Sequence, residues 1–168
     1  MEIKIEPLER FHHRGDFDCG VKELNNFLKK YSFQNQKSHI SKTFVAIDGE
    51  KTASTSEKDV LGFYTLSTGQ IDFEVLPKGI KHPRYPVSIA RLARLAVDLK
   101  CQGQGIGGFL LHDALQKIKT VSQVVGIFAI VVDAKDAKAK SFYERYGFIS
   151  LEETNLTLCL PMKVLDQL

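Results

Sequence analysis

Two adjoining segments constrain this chain most. VSIARLARLAVD, residues Val87–Asp98, is an apolar β-branched run, and CQGQGIGGFLLHDAL, Cys101–Leu115, follows almost at once with Gly103, Gly105, Gly107 and Gly108 at the head of an amphipathic helix pattern. A strand that enters a glycine-rich turn and then a helix presents unpaired backbone N–H groups at the positive end of the helix dipole. Glycines there leave no side chain to hold an anion away from those amides, so the junction predicts a phosphate site. A Walker loop would end in Gly-Lys-Ser/Thr, but Gly107, Gly108 and Phe109 stand at its end. The dinucleotide fingerprint can be laid on Gly103, Gly105 and Gly108, yet no second βαβ half with a ribose-binding acid follows. A turn adopted only for close helix packing explains four glycines in six residues less well.

The 168 residues fit one domain, 1–168, with a core large enough to need neither disulfides nor a structural metal. With 43% hydrophobic and 26% charged residues the chain is neither disordered nor a membrane protein. No apolar run is long enough for a bilayer, and acidic residues in MEIKIEPLERFHH stand where a secretory signal needs an apolar core, so the cytoplasm is the expected compartment. Cys19, Cys101 and Cys159 are too scattered for a disulfide framework or a zinc site and read as reduced thiols. A net charge of +3 permits an anionic ligand without marking a dedicated nucleic-acid binder.

Periodicity places the remaining elements. MEIKIEPL alternates as a strand, Asp16–Gly20 is a turn, and VKELNNFLKKYSF is a helix with Leu24, Phe27, Leu28 and Tyr31 on one face. TFVAI and VLGFYTLS form an antiparallel pair joined by the flexible, polar GEKTASTSEKD. Three prolines and Gly79 break IDFEVLPKGIKHPRYP into an irregular surface excursion. Val87–Val97 is a strand, and the helix after the glycines runs to about Thr120 with Ile106, Phe109, Leu110, Ala114 and Ile118 inward. VVGIFAIVVDA reads as a strand covered on both faces, DAKAKSFYERYGF as a helix closed by Gly147, and TLCLPM as the last strand.

These residues resemble the GNAT superfamily of acetyl-coenzyme A-dependent N-acetyltransferases, whose pyrophosphate loop is Gln/Arg-x-x-Gly-x-Gly/Ala. Gln102, Gly105 and Gly107 match it. Downstream, Asp136, Ala139, Tyr143, Gly147 and Phe148 follow the family's Asn-x-x-Ala-x-x-x-Tyr-x-x-x-Gly-Phe pattern, with Asp136 in place of the asparagine. The resemblance implies an α/β (α+β) GNAT fold, a mixed, mostly antiparallel sheet of six to seven strands flanked by about four helices. It implies acetyl-CoA as cofactor, with the backbone of Leu95, Ala96 and Val97 beside the pantetheine arm and residues Gln102, Gly103, Gln104, Gly105, Ile106, Gly107 and Gly108 on the pyrophosphate. Asp136 is carried over as a further cofactor contact. Within the superfamily, RLAVDLKCQGQGIGGFLLHDAL, AKSFYERYGF and FDCGVKELNNFL look like the acetyltransferase toxins of bacterial toxin–antitoxin pairs. Those enzymes acetylate the amine of aminoacyl-tRNA, are commonly homodimers, and pair with a ribbon-helix-helix antitoxin.

Acetyl transfer to an amine needs a neutral nucleophile, oxyanion stabilisation and an acid for the departing thiolate. The family match assigns the acid to Tyr143, whose phenol is protonated at neutral pH; without that match it reads as a packing ring beside Phe142 and Tyr146. For the oxyanion, the resemblance implies a backbone N–H from the strand around Leu95 or Ala96. No general base is assigned: Asp98 reads as a cap of the loop, Glu74 lies in the irregular segment, and His112 faces solvent. An α-amine titrates near 8, about two units below lysine, so an aminoacyl ester needs little help. Arg94 alternates with Leu95 and reads either as the partner of a buried carboxylate or as a phosphate ligand for the substrate. Lys29, Lys30, Lys37 and Lys42 are either a solvated face or a contact for an RNA backbone. Transfer to a small-molecule or protein amine is the second reading. A non-catalytic acyl-CoA-binding protein is the third, against which Tyr143 argues.

Overall fold

The computed structural model describes residues 1–51, 58–151 and 156–167, so most of the expected GEKTASTSEKD connection lies outside the described residues. The strands are β1 (Ile3–Pro7), β2 (His12–His13), β3 (Lys42–Asp48), β4 (Lys58–Asp59), β5 (Gly62–Ile71), β6 (Val87–Val97), β7 (Ala129–Asp133), β8 (Ile149–Ser150) and β9 (Thr157–Pro161). The helices are α1 (Lys22–Asn26), continued through a π turn at Phe27–Tyr31 into α2 (Ser32–Lys37), then α3 (Ile106–Val121), α4 (Ala137–Glu144) and α5 (Met162–Leu165). In hydrogen-bonding order the main sheet runs β1-β3-β5-β6-β7-β9-β8, and β2 pairs with β4 in a separate parallel ribbon. Only β6 and β7 are parallel among the main-sheet pairs whose registers are defined. Gly62 lies beside Ala96 and Gly69 beside Ile89, so β5 and β6 run antiparallel. This is the mixed, mostly antiparallel sheet the resemblance implied.

The chain folds as two compact units, Met1–Ser67 with Arg94–Leu115, and Thr68–Ala93 with Gln116–Leu168. Strands β5 and β6 pass from one into the other. In the first unit, alternate residues of β3 and β5 meet α1 and the π turn in a core that includes Leu8, Phe17, Phe27, Leu28, Val45 and Phe63. Directly opposed Thr43 and Thr65 share a buried hydroxyl hydrogen bond of 2.9 Å, which satisfies two polar groups that the apolar interior would otherwise penalise. The same unit buries His12, whose Nδ1 accepts the Glu9 N–H at 2.8 Å and whose Nε2 lies 2.6 Å from the Glu6 carboxylate. The neutral imidazole therefore carries its proton on Nε2 and donates it to Glu6, which also takes a 2.9 Å ion pair from Lys58. The second unit centres on β7, with Ile71, Leu76, Val87, Ile89, Val131 and Cys159 in its core.

Four expectations fail locally. The π turn inserts one residue into the helical repeat, so Ser32 turns inward and donates to the Leu28 carbonyl at 2.6 Å, while Tyr31 is 56% exposed. On α3 the buried stripe is Ile106, Leu110, Leu111, Ala114, Leu115 and Ile118, and Phe109 falls outside it, half exposed. The strand in VVGIFAIVVDA is confined to β7, because the N–H groups of Val124 and Val125 bond back to the Val121 carbonyl at the end of α3 and both valines face solvent. The Pro-rich segment is irregular as expected, apart from a 3₁₀ turn at Phe73–Val75, but it is not all surface, since Leu76 enters the second core.

Candidate active site

The site begins where β6 outruns its neighbour. The β6–β7 ladder ends at Leu92↔Val132, yet β6 continues to Val97. The Ala96 carbonyl points toward Gly62 of β5, and the Asp98 N–H donates to the Leu61 carbonyl at 2.8 Å. Alternation then sends the N–H and C=O of Leu95 to the opposite edge, beyond the last β7 pairing, where they have no ladder partner among the described residues. The Ala96 side chain packs in the first core.

Asp98 stops the strand. Its carboxylate caps the following 3₁₀ turn (Leu99–Cys101) by accepting the Lys100 N–H at 2.9 Å, and its other oxygen takes the Asp18 N–H at 3.1 Å. Gln102 then uses its side-chain amide on the carbonyls of Val97, 2.9 Å, and Cys19, 3.2 Å. The turn is thus strapped both to its own strand and to Asp18–Cys19. Sequence reasoning found Asp98 as a cap, gave Gln102 a cofactor role, and missed Asp18 and Cys19, which lie some eighty residues away.

Gly103 and Gly105 adopt φ of +80° and +84°, where a side chain is strained, and a Cβ on either would project into open space. The Gly105 carbonyl accepts the Phe109 N–H as the first hydrogen bond of α3. Upstream of it, the N–H groups of Gly103, Gln104, Gly105, Ile106, Gly107 and Gly108 have no acceptor among the described residues. This run of amides at the positive end of a 16-residue helix is a cradle for a polyanion, and it fits a diphosphate without any cationic side chain. Gly62 lets the helix sit this close. A Cβ there would come 2.9 Å from Leu110 and 3.0 Å from the Ala96 carbonyl oxygen.

Arg94 stands on the same face of β6 as Ala96, with its guanidinium carbon 3.6 Å from the Phe27 ring centroid. Burial lowers its pKa, and among the described residues no carboxylate pairs with it. Of the two readings the sequence left open, the buried-carboxylate one finds no partner among the described residues. The Phe27 ring supports one face of its planar fork, and that fork has no ion-pair partner among the described residues.

In the second unit, Asp136 is the N-cap of α4 and accepts the Ala139 N–H at 2.8 Å. An aspartate serves this role as well as an asparagine. Two helical turns beyond that cap Tyr143 points inward, edge-on to Phe142 at 5.2 Å and to Phe148 at 5.6 Å, and Gly147 follows the helix at φ +95°. Burial pushes the phenol well above its ordinary pKa. Its hydroxyl has no hydrogen-bond partner among the described residues and is not among the sealed polar atoms, so the ring is buried while the oxygen reaches the surface. His112 and Glu74 are exposed, which leaves neither in a base's environment.

Residues 80–164 match the family described as acetyltransferase (GNAT) domain. The chain belongs to the GNAT acetyltransferase family. It is 33% identical to a tRNA-acetylating toxin of Mycobacterium tuberculosis over 88% of this chain and 84% of that one. It is 28% identical to a probable toxin TacT of Sinorhizobium fredii over 98% and 93%. Among solved structures, a tyrosine-to-phenylalanine mutant of KacT superimposes with a TM-score of 0.91 at 31% identity over 99% of both chains. AtaT complexed with acetyl-methionyl-tRNAfMet gives 0.86 at 30% identity over 99% and 98%. A tyrosine-to-phenylalanine mutant of AtaT bound to the C-terminus of the antitoxin AtaR and acetyl-CoA gives 0.80 at 28% identity over 98% and 96%. No helix among the described residues is long and apolar enough to cross a membrane.

Proposed function

We propose that this acetyltransferase moves the acetyl group of acetyl-CoA to the α-amine of aminoacyl-tRNA and so acts as a translation-inhibiting toxin. The observation that carries the acceptor is the whole-length likeness to AtaT complexed with acetyl-methionyl-tRNAfMet. Acetyl-CoA, when bound, supplies an activated thioester. The residues proposed to hold it are Gln102 with Gly103, Gln104, Gly105, Ile106, Gly107 and Gly108, the last six through amides that have no acceptor among the described residues and suit its diphosphate, with Leu95, Ala96 and Val97 along its pantetheine arm. Gln102 contributes by bracing the loop rather than by direct contact, and Asp136 by fixing the start of α4. The Leu95 N–H is the donor assigned to the oxyanion, because it lies on that strand edge beyond the last β7 pairing with no ladder partner among the described residues. Tyr143 holds a proton at its phenol oxygen for a departing thiolate, and its raised pKa keeps that proton in place at neutral pH. Arg94 binds a phosphate of the acceptor. A single domain 1–168, a homodimer, a ribbon-helix-helix antitoxin and a cytoplasmic site of action, where charged tRNA is found, belong to the same reading.

The deciding experiment incubates the purified protein with radiolabelled acetyl-CoA and charged tRNA, polyamines or bulk protein in parallel. Label in the aminoacyl-tRNA is the expected result. Label in the amines or protein alone would replace the acceptor, and cofactor binding without transfer would reduce the protein to a ligand-binding role.

A further inference from the structure

The cations of the first unit are unevenly matched. Lys58 meets Glu6, and the N-terminal amine meets Glu50, but Arg10, Arg14 and Lys37 have no carboxylate partner among the described residues. All three gather around one ring instead. The guanidinium carbons of Arg10 and Arg14 lie 5.3 and 5.8 Å from the Phe33 centroid, and Lys37 Nζ lies 6.0 Å from it. Phe33 is itself held against the first core, and Arg14 is fixed by donating to the Leu28 carbonyl at 3.2 Å and the Ser32 hydroxyl at 3.5 Å. The π turn is what turns Ser32 inward to meet that guanidinium.

Attraction of an exposed cation to a ring is weak, and three like charges around one ring repel each other. An anion laid among them removes that repulsion and gains charge-assisted hydrogen bonds from two planar guanidinium forks. A ring in the midst of such a cluster also offers a stacking face to a sugar or base. An acidic peptide would satisfy the charge, but phosphodiesters match both the fork geometry and the ring. We propose that Arg10, Arg14 and Lys37, arrayed on Phe33, form a docking surface for the phosphodiester backbone of the acceptor RNA, distinct from the residues assigned to acetyl transfer. This rests on charged tRNA being the acceptor.

The test uses the full chain carrying Arg10→Gln and Lys37→Gln together, which leaves the hydrogen bonds of Arg14 untouched. Binding of uncharged tRNA is titrated between about 50 and about 200 mM salt, and the slope of log K against log salt should lose roughly 0.7–0.9 per cation removed. In steady state the KM for charged tRNA should rise about tenfold, with kcat and acetyl-CoA affinity within about twofold of the parent. A thermal melt matching the parent excludes misfolding. Unchanged slope and KM would overturn the proposal, and so would loss of affinity for an acidic antitoxin segment with the tRNA slope intact. Should the parent bind tRNA with a slope the variant reduces yet transfer no acetyl to it, the surface stands and the acceptor assignment falls.

Discussion

Replacing Gly105 with alanine separates what the backbone needs from what the ligand needs. At φ +84° an L-residue pays roughly 1–2 kcal/mol, which for a chain of this length is a fall in Tm of about 2–8 °C. No atom lies within 4 Å of the added Cβ, so the variant should still fold. The methyl group, however, would stand where a diphosphate has to approach the amides of Gly105 and its neighbours. Loss of one charge-assisted hydrogen bond, about 1.5–3 kcal/mol, predicts acetyl-CoA affinity weaker by roughly 10- to 150-fold. Gly79 supplies a matched control, because it has φ +90° and equally open space but lies in the Pro-rich segment. Gly79→Ala should lower Tm by a similar amount and leave the Kd alone. Calorimetric titration of both variants decides the matter: parental affinity in Gly105→Ala, or an equal loss in both, would refute the amide cradle.

Tyr143→Phe should leave Tm within about 1 °C, since the lost hydroxyl has no hydrogen-bond partner among the described residues, and should cut kcat by about 10²- to 10⁴-fold with the acetyl-CoA Kd unchanged; an unaltered kcat removes the phenol from the chemistry. Gly62→Ala forces a Cβ against Leu110 and the Ala96 carbonyl and should cost about 1–3 kcal/mol, read from denaturant melts. Burial alone would raise the Glu6 carboxyl, but hydrogen bonds from Lys58 and His12 outweigh it and hold the pKa below 4.5. Folding therefore favours the carboxylate, its stabilisation is complete above about pH 4.5 and fades as pH falls further, and Glu6→Gln should lower Tm at pH 7 but converge on the parent below about pH 4. A pH-independent gap would contradict that linkage.

Local chemistry made much of this legible. Pro86 and Asp98 bracket β6, alternation fills it, and glycine density marks the turn and the helix start, so the strand, the turn and the start of α3 are readable where they stand. The sequence marks Arg94 as costly on a central strand unless paired, but the ring beneath it belongs to Phe27, and nothing local in sequence joins the two. Tyr31 was misplaced because a 3.6-residue repeat assumes unbroken α geometry, and a π turn leaves no mark in composition. Phe109 shows that apolar character at helical spacing marks the edge of a stripe as readily as its centre. The ribbon of β2 and β4 escaped notice, since two-residue strands have no periodicity to read. Gly62 carried no signal of its own, because its neighbours Ile106 and Leu110 come from a helix more than forty residues later.

Neither compact unit is one continuous stretch of chain, and this sets an order of events during synthesis. Met1–Ser67 lacks its other segment, Arg94–Leu115 with the end of β6 and most of α3, until Leu115 emerges, an interval of roughly 2–10 s at translation rates of about 5–20 residues per second. For that time the apolar faces of β3 and β5 are open to chaperones and proteases. Nascent chains arrested before Arg94 should be digested by added protease, whereas chains with Leu115 free of the ribosome should begin to resist it.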